Sequence, residues 1–257
     1  MKPGRRLRGV LAACGIAAVI GCGRGPAQES KAPLPPPHLK PEDVTMRLQR
    51  IADVMAGAEV PAVPSRAGVA PPFNGEPTHL RLHFDGDELS PEVDYRERQL
   101  LIYPLDEYRN QFAGAERDSF DARLDRFRTM LQEKPSKPIE RVLVLPAVGS
   151  EPAFQARLRY IYFQDGNGLG VRFLTYVENP KYPSIKKGLF YTFQGIVGGR
   201  YVALFWPISI EDLPEGRSVA KTLDFIDGLT EEEMKPSLKW IDDAIESLVV
   251  QEPAASS

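Results

Sequence analysis

Cysteine is almost missing from this chain: Cys14 and Cys22 are the two present in 257 residues, beside 3 His and 2 Trp. Both cysteines sit near the N-terminus, so no disulfide framework and no thiol nucleophile is expected in the body, and stability must come from packing. Several motifs are also missing. There is no Gly-x-Ser-x-Gly elbow, no His-Glu-x-x-His and no phosphate-cradling glycine loop before a helix, which removes the commonest signatures of hydrolases, zinc peptidases and nucleotide-binding proteins. The longest apolar run, Gly9 to Ile20, is too short for a transmembrane helix, which needs roughly 20 residues. A formal charge of −3 leaves no electrostatic footprint for nucleic acid. What is present is a hydrophobic fraction of 42% with 12 Phe and 9 Tyr, enough to bury a real core.

The first twenty-two residues have the parts of an export signal. Lys2, Arg5, Arg6 and Arg8 form a basic start, Gly9 to Ile20 an apolar stretch, and Val19-Ile20-Gly21 a small-residue step before Cys22. This step resembles the lipobox of bacterial lipoproteins, in which the cysteine receives a diacylglycerol and becomes the mature N-terminus. Leu11-Ala12-Ala13-Cys14 also fits in isolation, but its apolar core would be too short for a signal of about 7 to 15 residues, so Cys22 is the expected lipidation site. The resemblance implies removal of residues 1–21, a palmitate-type anchor and attachment to a membrane of the cell envelope. Gly23 in place of Asp favours the periplasmic face of the outer membrane. Losing four cations and no acid takes the formal charge from −3 to −7.

Behind Cys22 the chain reads as a Pro-rich tether over 22–41. A short amphipathic helix is expected over 42–57, because Pro41-Glu42-Asp43 opens it, Val44, Leu48, Ile51 and Met55 keep helical spacing, and Gly57 closes it. A second Pro-rich linker is expected over 58–77, a folded domain over 78–250 and a disordered tail over 251–257. Within the domain, alternation predicts strands over Leu80 to Phe84, Gln99 to Leu105 and Arg141 to Leu145. Phe120, Leu124, Phe127 and Leu131 predict a helix over Ser119 to Gln132. Two hairpins follow, Arg157 to Glu178 about Asp165-Gly166-Asn167-Gly168 and Leu189 to Trp206 about Gly198-Gly199. Helices near Ser218 to Ile226 and along Leu238, Ile241, Ile245 and Leu248 close the chain, with Pro236 in the first turn of the second. Both faces of the last hairpin are apolar, so the expected fold is α+β: a central antiparallel sheet of about six or seven strands covered on both faces by the internal and C-terminal helices.

Four segments, Gly75 to Arg81, Tyr103 to Tyr108, Asn167 to Thr175 and Tyr191 to Gly195, resemble a family of exported bacterial proteins without assigned activity. The order of strands, helix, meander and closing helix is also similar to the PsbP-like α/β fold of thylakoid extrinsic subunits, a likeness of topology that carries no function.

Candidate chemistry is sparse. His79 and His83 on one strand would stand roughly 13 Å apart, too far to share a metal, and read as surface histidines. Asp85-Gly86-Asp87-Glu88 and Asp165-Gly166-Asn167 read as solvated turns and not calcium loops. Gly166, Gly168 and Gly170 read as a hairpin and not as a nucleotide motif. No cofactor or metal is expected. The residues expected to form a ligand or salt-bridge site are polar groups in apolar strands: Arg172, Tyr176, Tyr191 and Gln194, with Asp106 and Tyr108. Arg172 is expected to pair with an acid such as Asp106. The expected function is a lipid-anchored, non-catalytic binding or accessory module whose partner is another envelope protein or a small ligand. The alternatives are an envelope hydrolase using carboxylates and a purely structural lipoprotein.

Overall fold

The computed structural model describes residues 39–66, 68–137, 141–147, 152–163, 166, 168–177, 184–214 and 218–251. Cys22, the export signal, the tether up to residue 38, Asp165, Asn167 and the tail beyond residue 251 lie outside the described residues. The elements run β1 (Val44–Thr45), β2 (Met55–Val60), β3 (His79–Phe84), β4 (Gln99–Pro104), α1 (Leu105–Asn110), α2 (Gly114–Glu133), β5 (Ala156–Tyr162), β6 (Gly168–Thr175), α3 (Ile185–Gly188), β7 (Phe190–Val197), β8 (Arg200–Pro207), β9 (Ser209–Ile210), α4 (Val219–Gly228), β10 (Met234–Lys235), α5 (Leu238–Glu246) and β11 (Val249–Val250). Seven strands form one antiparallel sheet in the order β2-β3-β4-β8-β7-β6-β5. Two meanders, β2 to β4 and β5 to β8, are joined where β4 pairs β8. The fold is the expected α+β arrangement.

Alternation along the strands gives each face its own core. Toward α2 point Leu101, Tyr103, Phe173, Phe190 and Phe205, which meet Phe120, Leu124, Phe127 and Leu131 of that helix. Toward α4 and α5 point Leu100, Tyr191, Phe193, Leu204 and Trp206, which meet Ile226, Leu238, Ile241 and Ile245. Each of these buried side chains contributes about 1.5–3 kcal/mol of transfer free energy. The β7–β8 turn places Gly198 and Gly199 at φ +50° and +75°, the left-handed pair a two-residue hairpin requires. Gly170 lies opposite Gly195, and a Cβ at Gly170 would stand 2.2 Å from the Phe193 ring. The glycines of that hairpin therefore make room for an aromatic ring, not for a phosphate.

Four expectations need correction. No helix spans 42–57: after a single 3-10 turn at Pro41–Asp43 the chain enters β1, which pairs β11, and then β2, the sheet's edge. Gly57 is not a helix stop, since a Cβ there would stand 2.1 Å from the Arg81 carbonyl oxygen; its absence lets two strands approach. The 58–77 linker belongs to the body, with Val63 bridging Glu76 and Phe73 2% exposed, so the folded part takes in described residues well before Thr78, Leu39 among them. Residues 141–145 form no strand. Their backbone bonds to side chains instead. Pro236 also precedes α5 and its N-cap Ser237 rather than occupying the first turn. No helix among the described residues is long and apolar enough to cross a membrane.

Candidate functional site

The six body residues singled out above fall into three places. Arg172, Tyr176 and Tyr191 belong to the α4/α5 face, Gln194 and Tyr108 lie on the α2 face, and Asp106 is exposed on α1. They do not converge on one site.

Arg172, 3% exposed, pairs with Asp242 and Glu231 and not with Asp106. Its Nε lies 3.2 Å from Asp242 Oδ1 and its Nη2 2.8 Å from Glu231 Oε1, while Nη1 donates to the Arg157 carbonyl. Arg159 adds Asp242 at 2.9 Å and Glu246 at 3.0 Å, and the Tyr191 hydroxyl donates to Asp242 Oδ1 at 3.0 Å. Burial pushes the Asp242 carboxyl upward, while Arg172, Arg159 and Tyr191 pull it down. Every carboxylate in this group is held by protein, so it fastens α5 to β5, β6 and β7. Asp242 went unremarked in the sequence, yet an acid between Leu238 and Ile245 on an apolar helix face signals a buried ion pair.

On the other face a second polar group surrounds Tyr103, whose hydroxyl donates to Glu76 Oε2 at 2.8 Å. His79 stacks on Tyr103 with ring centroids 4.5 Å apart; its Nδ1 lies 2.9 Å from the Pro77 carbonyl and its Nε2 3.6 Å from Glu76. Burial raises Glu76 and lowers His79 to about 4. A carboxylate and a neutral imidazole are the parts of an acid–base pair. Here His79 is 4% exposed beneath Tyr103, so a substrate has no approach, and the expected surface histidine is a core one. Asp85 and Asp87 are likewise occupied: Asp85 Oδ1 accepts from the Asp53 and Val54 amides, and Arg98 donates to both carboxylates. No group of three or more His, Cys, Asp or Glu among the described residues is placed to hold a metal ion.

A concavity of ligand size lies elsewhere among the described residues, between α2 and the segment 141–143, with a volume of about 560 Å³. Phe127 and Met130 of α2 and Pro135, Val142 and Leu143 supply its apolar surface; Arg123, Arg126 and Arg141, with Thr129 and Glu133, supply its polar groups. α2 ends at this site because Lys134 turns left-handed at φ 52° and Pro135 stops the helix. The Tyr160 hydroxyl donates to the Pro135 carbonyl at 2.9 Å, holding that wall. The facing wall is held from the sheet. Gln194 Oε1 accepts from the Leu145 amide at 3.1 Å and lies 2.7 Å from the Tyr201 hydroxyl, which also has the Leu143 carbonyl at 3.0 Å. Gln155 Oε1 accepts from the Val142 amide at 3.2 Å, and the Tyr95 hydroxyl donates to Pro146 at 2.7 Å. Gln194 thus serves this groove by positioning its wall.

Arg123, Arg126 and Arg141 were missed in the sequence. Arg123, Arg126, Phe127, Met130 and Glu133 are spaced as one face of a helix, beside the apolar stripe, and that pattern was available; the arrival of Arg141 opposite them was not. Comparisons with protein families, curated proteins and solved structures find no match for this chain.

Proposed function

We propose that this chain is a non-catalytic binding module of the cell envelope, held to a membrane by lipid on Cys22, and that its ligand site is the groove between α2 and residues 141–143. The observation that carries the ligand-binding part is the groove itself: about 560 Å³, within the range of small-molecule sites of about 300–1,000 Å³. Its walls are held by hydrogen bonds from buried side chains, so the site is formed before a ligand arrives, which lowers the ordering cost of binding. Among the described lining residues, Thr129 has no histidine beside it to act as a base.

The anchor rests on the step Val19-Ile20-Gly21-Cys22.

A thermal-shift screen of small molecules on the full chain carrying Cys22→Ser tests the binding reading. Stabilising ligands are expected, and their effect should vanish when Met130→Trp fills the groove. Stabilisation that persists with Met130→Trp would place the site elsewhere; turnover of ester, peptide or glycoside substrates would overturn the non-catalytic reading. Labelling with a palmitate analogue should be abolished by Cys22→Ser and retained by Cys14→Ser.

A further inference from the structure

The two edges of the sheet end differently. At β5 the pairing with β6 is interrupted by a bulge between Ala156 and Arg159, Arg157 sits at φ 57°, and two arginines stand in the strand. Bulges and charged side chains keep an edge from recruiting another strand. β2 has neither device: it pairs β3 without a break from Met55 to Val60 and holds no lysine, arginine or proline. Among the described residues no strand pairs with its outer side. We propose that this outer side joins the β2 edge of a second copy of the chain, antiparallel and centred on Gly57, so that the two sheets continue into one across a two-fold axis. The contact lies apart from the groove and does not depend on it.

The backbone selects the register. The Asp85 amide donates to the Val54 carbonyl, so by the alternation of an antiparallel pair Val54, Ala56, Ala58 and Val60 turn their peptide groups toward β3, while Met55 and Gly57 turn theirs outward. Opposed residues of an antiparallel pair share a face, so a two-fold contact through the middle of β2 is centred on Ala56, Gly57 or Ala58. Centred on Ala56, it sets Glu59 opposite Asp53, whose amide is already given to Asp85 Oδ1. Centred on Ala58, it sets Met55 opposite Pro61, which has no N–H to donate. The Gly57 centre meets neither obstacle. Gly57 then faces Gly57 of the second copy and exchanges both peptide hydrogen bonds with it, Met55 faces Glu59, Ala56 faces Ala58 and Val54 faces Val60.

The side chains agree with that register. Val54, 57% exposed, Ala56 and Ala58 lie bare on one face of the strand. Gly57 centring sets each of them against an apolar residue of the second copy, and cross-strand pairs are what stabilise a sheet. Six residues a side is well short of the roughly 20–30 of a standard interface. The dimer is therefore weak and depends on concentration.

Sedimentation velocity of the full chain carrying Cys22→Ser, from about 10 μM to about 1 mM, should show a dimer growing with concentration. Two double variants at exposed positions read the register. Ala56→Lys with Ala58→Lys sets lysine opposite lysine twice and should weaken association about tenfold or more. Ala56→Lys with Ala58→Glu sets lysine opposite glutamate twice and should associate at least as tightly as the parent. Melting temperatures should stay close to the parent's in both. A monomer at every concentration overturns the proposal, and so does a double-lysine variant that dimerises as tightly as the parent, since the contact then lies elsewhere. A lysine–glutamate variant as weak as the double-lysine one overturns the Gly57 register, and the proposal with it.

Discussion

The two faces of the sheet use arginine in opposite ways. On the α4/α5 face, Arg172 is 3% exposed and meets an aspartate that is fully buried, with Glu231, Arg159 and Tyr191 closing the group. On the α2 face, Arg126 and Arg141 stand exposed on either side of an apolar concavity. The first set is buried and fastens a helix. The second set reaches solvent and borders a space of ligand size. Burial set against a concavity is what separates attachment from a candidate binding site; polarity within an apolar strand does not separate the two.

The comparison breaks most visibly at the latch. Arg172→Met leaves Asp242 buried beside a single partly exposed arginine, and removing one partner of a buried pair costs about 3–5 kcal/mol. Urea denaturation should show that loss, and melting should fall by roughly 10 °C, since each kcal/mol shifts a domain of this size by about 2–4 °C. Binding of a groove ligand from the thermal-shift screen by the surviving folded protein should be unchanged, because the groove is on the other face.

Acid probes the polar group around Tyr103. Burial holds His79 at about 4, below its ordinary 6.5, so the unfolded chain binds more protons between these values. Stability is therefore complete above pH 6.5 and is lost as pH falls toward 4, by about 2 kcal/mol at pH 5 from this residue. Glu76 and Asp242, both raised by burial, act in the opposite sense, gaining stability as pH falls. Denaturation curves of the wild type and His79→Gln at pH 7 and pH 5 isolate the histidine: the variant should lack this decline.

Tyr201→Phe sharpens the contrast at smaller scale. It removes a buried hydroxyl whose single proton lies between two acceptors, Gln194 Oε1 at 2.7 Å and the Leu143 carbonyl at 3.0 Å, a loss of about 1 kcal/mol. Hydrogen exchange should accelerate at residues 142–145, and affinity at the groove should drop severalfold because its wall is looser. Smallest of all is Arg126→Gln. An exposed substitution on α2 should change stability by no more than about 0.5 kcal/mol, yet change the affinity of a ligand seated in the groove severalfold.

Much of the sheet was legible because its signals are local. The β5–β6 and β7–β8 hairpins announce themselves through glycine turns between β-rich runs, and α2 through Phe120, Leu124, Phe127 and Leu131. Residues 42–57 misled because helical spacing over so few residues is a weak preference that pairing with β3 and β11 overrides. Gly57 looked like a helix stop, and only the neighbouring Arg81 carbonyl reveals it as a close approach. The site was less legible. Arg172 was read as a strand arginine in need of an acidic partner; Asp242 is marked as a buried acid by its place on the apolar face of α5, but it lies seventy residues away and nothing local matches the two. Gln194 was selected as a site residue, and it contributes by holding Leu145, an effect that emerges only when β7 and the 141–147 segment meet.

The most direct test of the groove is a map of where a ligand binds. Amide chemical shifts of the full chain carrying Cys22→Ser, titrated with the most stabilising compound of the thermal-shift screen, should move at Arg123 to Glu133 and at Arg141 to Leu143, and stay still around Arg172, Glu231 and Asp242. Shifts centred on the α4/α5 face, or none in α2, would contradict the assignment of the groove as the ligand site.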